Sequence, residues 1–211
     1  MDEKMTTGNA PRQLISFVID NSASCAKEKL AALMGGFRAM AAQSAQNGAF
    51  EFELSCFNAF APAVVKPFEA NEISPVYANR FPLLGRTVLA AVDRLAVRSK
   101  ALQAQGVALY RPMLFILSDG FTLDDTEEMV SRLDALEHAG DIIYLPFKLS
   151  KKLSTERMQS LDRVKHMIEI KEGHIPEFFG FVSSVLEQRL ALAPEVGLKF
   201  KKSDFEGWAE L

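Results

Sequence analysis

Two short apolar runs that each stop at an aspartate constrain this chain more than any other feature. Residues 14–20 read LISFVID and residues 113–119 read MLFILSD. Runs of this length, apolar at consecutive positions, suit strands buried on both faces rather than strands with one wet side. The first run leads into Asn21, Ser22, Ala23 and Ser24, and then into an Ala/Lys/Leu-rich stretch that spaces Leu30, Leu33, Phe37 and Met40 as a helix does. A buried strand therefore delivers one carboxylate and two hydroxyls into a loop that opens a helix.

The rest of the chain alternates in the same way. Helical periodicity extends over residues 24–46, about 86–105, a stretch carrying Met129, Leu133 and Leu136 that ends at Gly140, and residues 178–190; a short helix is expected at 153–161. Gly35-Gly36 falls inside the first helix, where it permits close helix packing. Strands are expected at 142–147 and, more weakly, at 164–170. Residues 49–57 place Phe50, Phe52, Leu54 and Cys56 opposite Glu51, Glu53 and Ser55, the pattern of a half-exposed strand. Residues 63–66 lie between Pro62 and Pro67 and suit a short edge strand, and 69–83 read as a surface loop. Strands separated by helices of this length build parallel βαβ units. The expectation is an α/β fold: a doubly wound, mostly parallel central sheet with helices on both faces and one antiparallel edge strand. A lead of 1–11, a domain of 12–191 and a tail of 192–211 divide the chain.

In such sheets ligands bind beyond the carboxyl ends of the strands, where successive connections diverge to opposite faces. Asp20 and Asp119 both end apolar strands, so both carboxylates are expected on one rim. Residues 83–89, LLGRTVL, add a hydroxyl at a helix start, with Gly85 allowing a tight approach. Asp20, Ser22, Ser24, Thr87 and Asp119 then offer oxygen donors from three loops, the hard ligand set that Mg²⁺ takes at about 2.0–2.1 Å. Mn²⁺ accepts the same set. Taken singly, Ser24 and Thr87 suit helix caps, Asp119-Gly120 a turn, and Asp124 and Asp125 caps for the helix that follows Thr122. The ordered set, placed after the right elements, favours the metal.

Asp20-x-Ser22-x-Ser24, Gly85-x-Thr87 and Leu117-Ser118-Asp119-Gly120 resemble the three segments of a von Willebrand factor type A (vWA) domain, where they form the metal-ion-dependent adhesion site, or MIDAS. The resemblance covers residues 12–190. It is strongest to the stand-alone bacterial TerY type linked to tellurite resistance and stress operons, on the short lead, Phe57-Asn58, Asp124-Asp125 and Phe178-Phe179. Cys25 stands where many members carry Met, and Arg86 places a cation beside the metal. The resemblance implies binding without turnover, with a protein partner supplying an Asp or Glu to the metal.

Enzyme chemistry has less to stand on. A phosphatase or phosphotransferase of the haloacid-dehalogenase type needs Asp-x-Asp, but Ser22 holds the second position, and a hydroxyl is no general acid near neutral pH. The sequence has neither a Gly-x-Ser-x-Gly elbow nor a Walker-type loop. His138, His166 and His174 share no ligand spacing, and two cysteines, Cys25 and Cys56, are too few for a disulfide framework. The net charge of −3 gives no general reason for nucleic-acid or membrane binding, and the basic stretch at 148–165 reads as a solvated helix face. With no apolar leader and no spanning segment, a cytoplasmic protein is expected. In the 192–211 tail, Phe205 and Trp208 fit two readings equally, a partner-docking tail or a cap on the domain's own core.

Overall fold

The computed structural model describes residues 10–22, 25, 27–45, 48–57, 63–70, 72–77, 82–119, 122–149, 167–194 and 196–210. Within them the strands are β1 (Gln13–Ile19), β2 (Phe50–Cys56), β3 (Ala63–Lys66), β4 (Met113–Ser118), β5 (Ile143–Lys148), β6 (Ile168–Ile170) and β7 (Ala209–Glu210). The helices are α1 (Lys27–Ala45), α2 (Leu84–Ala104), α3 (Glu127–Ala139) and α4 (Ile175–Leu190). The expected helix at 153–161 and residues 164–166 of the expected strand lie outside the described residues.

One sheet runs in the order β3–β2–β1–β4–β5–β6–β7. The five inner strands pair in parallel, and both edges are antiparallel: β3 on β2, and β7 on β6. The sequence pattern anticipated the first of these edges but not the second. Alternation within β1 feeds two cores. Ile15, Phe17 and Ile19 face α1 and α4, whereas Leu14 and Val18 face α2 and α3. All seven β1 residues are buried, as a central strand requires. On the first face Phe17 stacks on Phe115 at 4.9 Å. Gly36 serves close packing there, because a Cβ on it would sit 2.1 Å from the Phe179 ring of α4; Gly35 makes no such approach.

The strand read as half-exposed is buried on both sides. Glu51, Glu53 and Ser55 face α2 instead of water, and two arginines of that helix cover them. Arg94 donates to both oxygens of Glu53, at 3.0 and 2.8 Å, and to Ser55 Oγ at 2.6 Å. Arg98 donates to both oxygens of Glu51, at 2.7 and 3.1 Å. Alternation of Phe with Glu reports two chemically different faces; it cannot report that a helix brings its own charges to one of them.

The chain end closes on the domain's own core. Phe205 and Trp208 are buried against Phe181, with ring centroids 5.0 and 5.3 Å away. Trp208 Nε1 donates to the Asp204 carbonyl at 2.9 Å. Among the described residues no helix is long and apolar enough to cross a membrane.

Candidate metal centre

The chain leaves β1 through α1 to one side of the sheet and reaches β4 through α2 on the other. The junction between β1 and β4 is therefore the point at which connections diverge. In the parallel register Ile19 lies beside Leu117, and the Asp20 N–H continues the ladder to the Leu117 carbonyl at 2.8 Å. That bond fixes Asp20 next to the end of β4. Asp20 Oδ2 accepts the backbone N–H of Asp119 at 3.2 Å and the Ser118 hydroxyl at 3.4 Å. Its other oxygen accepts the Ser22 N–H at 2.7 Å. Asp20, Ser22 and Asp119, from two loops nearly a hundred residues apart, thus share one buried site.

Ser118 orients Asp20 through its hydroxyl, a part that the metal-ligand pattern alone leaves unassigned. Ser24 lies outside the described residues. Thr87 is fully buried in the first turn of α2, where its hydroxyl donates to the Leu83 carbonyl at 2.6 Å. With the proton so engaged, the lone pairs of Oγ1 stay free to meet a cation.

The β4–α3 loop holds that helix start in place. Leu84 N donates to Thr122 Oγ1 at 3.1 Å, Arg86 N to Asp124 Oδ2 at 2.9 Å, and Leu123 N to the Pro82 carbonyl at 2.9 Å. Asp124 therefore caps α2, not the α3 helix that follows it in sequence. Asp125 does serve α3, accepting the Glu127 N–H at 3.0 Å. A cap contributed from 38 positions away leaves no local signature. Gly85 makes the contact possible, since a Cβ there would lie 2.5 Å from the Asp125 carbonyl oxygen.

Electrostatically the site is acidic and desolvated. Burial, followed by the neighbouring Asp119 charge, raises the Asp20 carboxyl from 3.8 to about 6, against the opposing hydrogen bonds from Ser22 and Asp119. Asp20 has no ion pair among the described residues. Nor do three or more His, Cys, Asp or Glu side chains converge anywhere among them. The donors at this rim are two carboxylates and hydroxyls, all oxygen, which fits a hard divalent ion and not a soft one. Cys25 and Cys56 lie nearby, and burial pushes both thiols up to about 12, so they stay protonated and are poor ligands. His138 and His174 each lie 3.2 Å from an acidic neighbour, Asp134 and Glu177.

No protein-family model matches the sequence, and no curated protein sequence does. Solved structures match in fold. The VWA domain of SpRpn10 superposes with a TM-score of 0.57 at 10% identity, over 81% of this chain and 95% of that one. The N-terminal domain of TFIIH p34 gives 0.55 at 9% identity, over 82% and 97%. Proximal thread matrix protein 1 from the mussel byssus gives 0.55 at 13% identity, over 89% of this chain but 49% of that chain. The fold is that of a vWA domain.

Proposed function

We propose that this protein is a metal-dependent interaction module of the vWA type. Asp20, Ser22, Ser24, Thr87 and Asp119 hold Mg²⁺, with Mn²⁺ as the alternative ion, and a protein partner supplies an Asp or Glu to the metal. Ser24 enters on the sequence pattern alone. The carrying observation is the Asp20–Asp119 pair: two carboxylates buried at the ends of adjacent parallel strands, where burial and then the Asp119 charge raise the Asp20 carboxyl. Two like charges in a desolvated site are unfavourable until a cation joins them.

A bound Mg²⁺ supplies a Lewis-acidic position for an external carboxylate. The protein's own groups fix the site: Ser118 and the Asp119 N–H hold one Asp20 oxygen, the Ser22 N–H holds the other, and the Leu83 carbonyl accepts the Thr87 hydroxyl hydrogen bond. The reading is of binding without turnover, in the cytoplasm, with neither nucleic acid nor membrane as partner. Placement in a bacterial stress or tellurite-resistance system rests on the sequence resemblance.

Calorimetric titration of wild type and Asp20→Ala with MgCl₂, paired with co-purification from the native host in Mg²⁺ or EDTA, tests the proposal. Heat of binding and a retained partner only for wild type with Mg²⁺ is the expected result. A partner held equally by the variant, or in EDTA, overturns it. Mg²⁺-dependent phosphate release lost in Asp20→Ala would make the protein a phosphatase instead.

A further inference from the structure

We infer that a second site, at the end of the sheet remote from Asp20, takes a small organic anion: one carboxylate carried on an apolar body.

The two helices that start at the metal rim run away from it on one face of the sheet. Gly85 of α2 lies against the Asp125 carbonyl just ahead of α3. Farther along, the same helices leave a cavity of about 540 Å³ between them. Residues 109–112, which lead into β4, and 140–142, which lead into β5, complete its lining. The cavity therefore lies at the amino-terminal ends of parallel strands, opposite the end that carries Asp20 and Asp119. Leu95, Leu136 and Ile142 give it apolar walls; Leu95 and Ile142 are buried in the core under α2 and α3, and Leu136 packs against that core. A cavity of this size with such walls suits a small molecule.

Charge decides which kind. Lys100, Arg111 and Arg132 line the cavity, and Asp141 is the one acid among its described lining residues. Arg132 is already paired with Asp93. The side chains of Lys100 and Arg111 enter no ion pair among the described residues. Three cations set against Asp93 and Asp141 leave one positive charge, which a single carboxylate matches.

Arg111 is also held in position. Its carbonyl accepts the Gln13 side-chain N–H at 2.9 Å. Its guanidinium lies over Gly140, where a Cβ would come within 2.8 Å of Nη2. Gly140 ends α3 in the left-handed region at φ 80°, so the one glycine both closes the helix and leaves room for the guanidinium at the cavity wall. A planar fork of donors fixed there suits the two oxygens of a carboxylate. The rival role for Arg111, a cation on the C-terminal dipole of α3, makes no use of Lys100 or of the apolar walls.

The test uses the full chain and calorimetric titration with three probes: 2-naphthylacetate, its neutral amide, and acetate. Wild type should bind the naphthyl acid about tenfold more tightly than the amide, the equivalent of one charged hydrogen bond, and acetate without detectable heat. Arg111→Gln and, separately, Lys100→Gln should each cut that preference about threefold and leave the amide affinity unchanged. Leu136→Ser should weaken both naphthyl probes about tenfold. Asp20→Ala, and EDTA, should alter none of these affinities, so this site stands or falls separately from the metal centre. Circular dichroism verifies each fold, and Lys100, exposed on α2, keeps the test valid if Arg111→Gln loosens the end of α3.

Absence of naphthyl-acid binding, or equal binding of acid and amide by wild type, overturns the inference. So does a preference that survives both cation substitutions. Arg111→Gln that lowers stability alone, with Lys100→Gln without effect, confines Arg111 to the helix end and also overturns it. A Gly/Ser peptide with one Asp and one Leu that binds more tightly than the naphthyl acid would assign the cavity to a protein segment instead.

Discussion

Asp20 accepts the backbone N–H of Asp119 at 3.2 Å, joining residues 99 positions apart at the ends of two adjacent parallel strands. The bond makes Asp20 both a receiver of a positive dipole and a neighbour of a negative side chain. Burial and the neighbouring charge prevail, and the carboxyl is raised to about 6.

A pH dependence with a definite sign follows. The folded-state value lies above the unfolded 3.8, so between them the folded protein binds the extra proton. Without metal, that stabilising contribution is complete below about 3.8 and is lost as pH rises through about 6, at up to about 1.4 kcal/mol per pH unit. Mg²⁺ competes with the same proton, so its stabilisation should grow across that window and level off above it. Urea unfolding from pH 4 to 8, with MgCl₂ or EDTA, measures both trends. Asp20→Asn should remove the Mg²⁺ effect and flatten the EDTA profile.

Gly85→Ala addresses the coupling of two loops. Its Cβ would meet backbone, the Asp125 carbonyl oxygen, which cannot rotate away. The start of α2 and the β4–α3 loop must part, at about 1–3 kcal/mol. Because Thr87 lies two residues on, Mg²⁺ affinity should fall along with stability. Chemical unfolding and a Mg²⁺ titration on one preparation check the pair; lost stability with unchanged affinity would separate Thr87 from the metal.

The element order, the parallel core and the rim position were legible because consecutive apolar residues and 3.6-residue spacing are local signals. Residues 14–20 and 113–119 announced buried strands, and the aspartates ending them announced a shared edge. Three features were not legible, each for the same reason: they depend on what arrives from elsewhere in the chain. Glu51 and Glu53 resemble solvent-facing residues until Arg94 and Arg98 descend from α2. Asp124 resembles a cap for the following helix until the start of α2 meets it. The pairing of β7 with β6 involves only two residues, too short for any periodicity.

Trp208→Ala should cost about 3–5 kcal/mol, the range for emptying a large buried aromatic site. The indole packs against Phe147, Phe181 and Phe205, and β7 begins at the next residue. Loss of the ring should therefore also free the β7 edge. Hydrogen exchange at Lys171, whose N–H donates to the Trp208 carbonyl at 3.0 Å, reports that opening, and urea unfolding reports the cost. A variant as stable as wild type would show the segment to be a passive tail.

The Glu53–Arg94 pair distinguishes a buried charge that stabilises from one that is merely neutralised. Glu53 is fully buried and receives two bonds from Arg94 and one each from Ser16 and Ser55, while Arg94 keeps 30% of its side chain in water. Removing the arginine strands a desolvated carboxylate, whereas removing both charges leaves little to strand. Arg94→Met should thus destabilise by about 3 kcal/mol or more, and Glu53→Gln with Arg94→Met should recover much of that loss. Recovery in the double variant, measured by urea unfolding of all four proteins in the cycle, identifies the penalty as the orphaned carboxylate. Additive losses would mean instead that Arg94 acts mainly by covering β2 with its aliphatic stem. The two outcomes differ in where the energy of the α2–β2 contact resides, in matched charge or in excluded water.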